Sequence, residues 1–124
     1  MKGINAYRNA RVECASPKQV LLMVFQNIVM RLEQGIDAYD EGDTDILLER
    51  SRLTRRLYGE LLVALDDSHA PELCARLSRL YTWCIRQLAE AERERDATNL
   101  PGVLKVSREL LAGWEVAVTS RDAA

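Results

Sequence analysis

The chain has 124 residues, 48% of them hydrophobic and 29% charged, with 17 Lys and Arg against 19 Asp and Glu and a formal net charge of −2. This is the size and balance of one globular domain with an adequate core, and the missing basic excess argues against nucleic acid as a partner. No apolar run approaches the roughly 18 residues of a membrane span and no leader pattern opens the chain, so a soluble, cytoplasmic protein without membrane insertion is expected.

Residues 1–15 read as an N-terminal arm, too short to fold alone, whose Ile4 and Tyr7 favour apolar cover. A helix start follows. Ser16 suits the N-cap, Pro17 the first helical position, where its missing N–H has no intrahelical partner anyway, and Gln19 completes a capping box. From Pro17 to about Glu41, Leu21, Val24, Phe25, Ile28, Leu32, Gly35, Ile36 and Tyr39 recur at three- and four-residue steps, the pattern of an amphipathic helix. Gly42 suits its stop, and Asp43 or Thr44 caps a second helix that Leu47, Thr54, Leu57, Tyr58, Leu61 and Leu65 carry to near Asp66. Its Arg50, Arg52, Arg55 and Arg56, flanked by Glu49 and Glu60, read as a solvated face. After the polar break 66–71, Pro71 opens a third helix with a stripe of Leu73, Leu77, Leu80, Tyr81, Cys84, Leu88 and Ala91. A second break at 96–99 leads to a fourth, with Pro101 in its first turn and Leu100, Val103, Leu104, Ser107, Leu110, Leu111 and Trp114 inward.

Four helices joined by short connections predict an all-α, antiparallel up-down four-helix bundle over residues 16–118, because short links cannot carry the chain back across it; a polar tail covers 119–124. Residues of catalytic type do not converge. Cys14, Cys74 and Cys84 are widely spaced, and His69 stands alone in a polar break. Neither a metal set nor a Gly-rich phosphate loop occurs, so no catalytic, cofactor-binding or metal-binding residue is assigned. The expectation is a non-enzyme without cofactors.

Several apolar residues fall off the core stripes: Leu22, Met23 and Met30 on the first helix, Leu48 and Leu62 on the second, and Trp83 on the third. Together with Ile4 and Tyr7 they are candidate partner contacts, since an apolar groove between helices accepts an amphipathic segment and methionine adapts to its shape. The arm would then act as a displaceable cover.

Asn5-Ala6-Tyr7, Ala15-Ser16-Pro17, the run 21–25, Glu41-Gly42-Asp43, Leu61 with Ala64-Leu65-Asp66, Leu80-Tyr81, Leu88-Ala89-Glu90-Ala91, Asp96 and Trp114 occur in that order. In these pieces, from Asn5 to about Val118, the chain resembles the flagellar secretion chaperones of the FliS family. The resemblance implies a cytoplasmic bundle that binds the disordered C-terminal segment of flagellin, prevents its early polymerisation and keeps it competent for export, with the flagellar export apparatus as a further partner. The chain departs from the family where Phe25 is followed by Gln26-Asn27 instead of Asp-Gly, where Glu92 replaces Asn, and where 66–71 lacks glycine. The residues alone leave open a second reading, a structural or adaptor bundle that self-associates as a homodimer.

Overall fold

The computed structural model describes residues 17–119. The arm with Ile4, Tyr7 and Cys14, the Ser16 cap and the tail from residue 120 lie outside the described residues. Helices α1 (Pro17–Asp40), α2 (Thr44–Val63), α3 (Pro71–Glu94) and α4 (Leu100–Thr119) run alternately up and down as an antiparallel bundle.

Local chemistry sets the turns. Gly42 takes a φ of +88°, a region closed to most side chains, and its N–H reaches the Tyr39 carbonyl at 3.0 Å. The Asp43 carboxylate accepts the Ile46 N–H at 3.1 Å and so caps α2. Helix α2 stops at Val63, short of the expected Asp66, because the Leu65 N–H turns to the Leu62 carbonyl at 3.3 Å. Asp66 then accepts the Ser68 N–H at 3.0 Å, a side-chain turn that competes with further helix. Between α3 and α4, Asp96 accepts the Thr98 N–H at 2.6 Å, and hydrogen bonding from Thr98 holds the Asp96 carboxyl below its ordinary range.

The core forms around three rings. Phe25 of α1, Tyr58 of α2 and Tyr81 of α3 are buried, with centroids 5.6 to 6.4 Å apart. Ile28, Leu32, Leu47, Leu88, Leu100 and Val103 extend the core toward the end of the bundle that carries the α1–α2 and α3–α4 turns. Gly35 lets α1 and α2 approach closely, since a Cβ there would meet the Arg50 Cβ at 3.3 Å. The Tyr58 and Ser107 hydroxyls lie 2.6 Å apart across the core and satisfy each other.

The helices form an incomplete ring. Helix α1 packs along α2 and α4, and α2 along α3, whereas α3 and α4 meet over only a short stretch. That meeting lies near their connecting turn: the buried residues of α3 are Tyr81, near its middle, then Cys84, Leu88 and Ala91, and those of α4 are Leu100, Val103, Leu104 and Ser107, all in its first half. Farther along, the two helices part.

This parting corrects the expected stripe of α3. Leu73 and Leu80 are 51% and 37% exposed, because α4 no longer covers the early turns of α3. Two further expectations change. Leu48, expected off the core stripe, is only 4% exposed; it sits one turn before Ser51, whose hydroxyl donates to the Leu88 carbonyl of α3 at 3.1 Å. The arginine face of α2 is only partly solvated, since Arg55 makes a two-pronged pair with Glu92, at 2.8 Å for each bond, which braces α2 against α3.

Candidate partner-binding surface

No group of three or more His, Cys, Asp or Glu among the described residues is placed to hold a metal ion. His69 is exposed in the α2–α3 turn. Burial pushes the Cys84 thiol up to about 11, partly offset by a hydrogen bond with Tyr58, so it stays protonated and unreactive near neutrality. Burial likewise pushes the Tyr81 hydroxyl up to about 12 and raises that of Tyr58 further. These groups belong to the core, and the arrangement offers surface for a partner instead of a reacting centre.

That surface is the gap between α3 and α4. On the α3 side lie Leu73, Leu77, Leu80 and Trp83; on the α4 side Val106, Leu110 and Trp114 occupy matching inward and flanking positions and are half-buried. Trp83 is 40% exposed, and a Cβ at Gly102 would touch its ring at 3.5 Å. The indole thus lies beside the first turn of α4, at a distance where a methyl group at Gly102 would make an ordinary contact with it. Below this contact the apolar flanks face each other across an opening at the end of the bundle where α1 begins and α4 ends.

The candidate residues do not gather in one patch. Trp83 lies at the rim of the opening. Leu62 is half-buried against the core in the last turns of α2. Leu22 and Met23 are half-buried on α1, and Met30 is 44% exposed one heptad after Met23, on the outward side of that helix. Leu48 serves the α2–α3 packing. Ile4 and Tyr7 lie outside the described residues. Leu73 and Leu80 were assigned to the core from periodicity and form part of the opening instead; the signal for this, the divergence of α4, is not local to α3.

The sequence profile of the family described as "Flagellar protein FliS" matches residues 1–121. The chain belongs to the FliS family. The flagellar secretion chaperone FliS of Vibrio cholerae is 25% identical over 120 residues, covering 93% of this chain and 88% of that protein. FliSB of Pseudomonas aeruginosa is 28% identical, covering 93% and 94%, and FliS of Salmonella typhimurium is 28% identical, covering 91% and 87%. The FliS match thus spans the arm and all four helices. No described helix is long and apolar enough to cross a membrane.

Proposed function

We propose that this protein is a cytoplasmic flagellar export chaperone that takes the disordered C-terminal segment of flagellin into the opening between α3 and α4. Binding keeps the client from polymerising early and delivers it, still unassembled, to the export apparatus. The observation that carries the reading is the uncovered apolar surface of Leu73, Leu80 and Trp83 beside the half-buried flank of α4. The names of the relatives, flagellar secretion chaperones, support a role in flagellar secretion; flagellin as the client is what the family resemblance implies.

A disordered segment that folds on binding loses about 1 to 2 kcal/mol of backbone entropy per ordered residue. Burying on the order of 1,000 Å² of apolar surface returns about 25 kcal/mol before that cost. An amphipathic helix laid into an apolar groove meets this need. Ile4 and Tyr7, on the arm that joins α1 at the open end of the bundle, act as a displaceable cover, and Leu22, Met23, Met30 and Leu62 extend the contact beyond the opening.

The test is calorimetry with circular dichroism on the full chain, titrated with a peptide covering about the last 40 residues of flagellin from the same organism. One-to-one saturation, a gain of helix and a negative heat-capacity change are expected. No binding by intact components contradicts the proposal, and a concentration-dependent dimer indifferent to the peptide indicates a self-associating bundle. Deleting residues 1–14 tightens binding if the arm is only a cover, and unchanged affinity removes that role.

A further inference from the structure

The opening has one charged lip. Along α3, Arg76, Arg79, Trp83 and Arg86 follow at steps of three, four and three residues, which sets them in one stripe beside exposed Leu73 and Leu80. All three arginines are exposed, and none has a carboxylate within ion-pairing distance among the described residues. Arg50, Arg52, Arg55, Arg93 and Arg108 all do. Glu90, one turn beyond Arg86, is taken by Arg93. Other cations of the bundle, Arg56 and Lys105 among them, also stand outside these pairs; what distinguishes this lip, which has Glu72 one turn before Arg76, is that three such arginines follow one another along uncovered apolar surface.

We infer that the client segment docks in the opening as an amphipathic helix whose acidic flank lies along Arg76, Arg79 and Arg86. The inference rests on the chaperone reading and specifies the client chemistry that this chain selects. From Arg76 to Arg86 the lip spans about 15 Å at 1.5 Å per residue, some three turns of a docked helix. Apolar burial holds any amphipathic helix of suitable width; the lip favours those with carboxylates at matching steps and disfavours a basic flank. Arginine suits the role because its planar fork pairs with carboxylate through two hydrogen bonds.

Charge also argues against the chain's own N-terminal segment as the occupant of the lip. Residues 1–16 carry Lys2, Arg8 and Arg11 against a single acid, Glu13. A segment of that charge makes a poor partner for three arginines, so an arm that covers the apolar opening through Ile4 and Tyr7 leaves the lip to an acidic client.

The full chain and its R76E/R79E/R86E, R76Q/R79Q/R86Q and R76K/R79K/R86K variants are titrated with the flagellin C-terminal peptide at low and high salt, after circular dichroism has shown each to be folded. Charge reversal is expected to weaken binding about tenfold or more at low salt, chiefly by slowing association, and the Gln variant by a few-fold. The Lys variant retains most of the affinity, and added salt weakens the wild type more than the Gln variant. Wild-type binding that survives charge reversal unchanged overturns the inference and leaves the chaperone reading standing. Loss in the Lys variant equal to that in the Glu variant, or a change confined to self-association in light scattering, also overturns it. Failure of the wild type to bind overturns both.

Discussion

Helix α3 takes part in two seams that are built differently. Toward α2 it is held by the Arg55–Glu92 pair, by Ser51 bonding the Leu88 carbonyl, and by Tyr81 packed on Tyr58. Toward α4 it is held only near the turn; its early half leaves Leu73 and Leu80 uncovered, and an arginine stripe runs beside them to Arg86. One helix face therefore carries stability, and its neighbour is the face proposed for recognition. A bundle that closed both seams would be more stable and would offer a folding client no apolar surface of comparable extent.

The largest effect belongs to the closed side. Phe25→Ala should cost about 3 to 5 kcal/mol in chemical denaturation, since the ring is fully buried between Tyr58 and Tyr81. A cost below 1 kcal/mol would mean that the three rings are not the centre of the core. Next comes the buried hydroxyl pair. Tyr58→Phe and Ser107→Ala should each cost about 1 to 2 kcal/mol by stranding a partner, and the double variant should cost less than their sum.

Glu92→Gln removes the charge that receives Arg55. Arg55 is 41% exposed and its pair is partly screened, so a loss of about 1 kcal/mol is expected in thermal unfolding. Peptide affinity should stay unchanged, because this seam is not the proposed binding face. The same seam predicts a pH dependence. The Cys84 thiol has an ordinary value of 9.0 that burial pushes up to about 11. The unfolded chain therefore releases that proton first, and this contribution to stability, complete below pH 9, is lost as pH rises from about 9 to about 11. Cys84→Ala should flatten that fall in urea titrations, and an unchanged slope would assign it to other groups. The smallest effect on stability belongs to the open side. Leu80→Ser should change it by no more than about 0.5 kcal/mol, yet weaken peptide binding several-fold.

Much of the fold was legible because its signals are local. Gly42 with Asp43, Pro71 and Pro101 mark helix boundaries by backbone chemistry, and the stripe of α1 follows from its three- and four-residue spacing. The candidate surface was less legible. Leu73 and Leu80 satisfy the core period of α3 as well as Cys84 and Leu88 do, and only the path of α4 separates the two pairs. Leu48 fell off the apolar stripe because its neighbours on the α3-facing side, Ser51 and Arg55, are polar residues whose partners lie 37 residues or more away. Arg76, Arg79 and Arg86 were readable as a stripe, but that no carboxylate among the described residues reaches them is a property of the assembled bundle.

The central claim is that the client enters between α3 and α4. The chain has two tryptophans, Trp83 and Trp114, one on each flank of that opening, so their two indole N–H signals can be followed by nuclear magnetic resonance as the flagellin C-terminal peptide is added. The account predicts that both signals move and saturate at one equivalent. Saturating peptide binding that leaves both indole signals in place would contradict it.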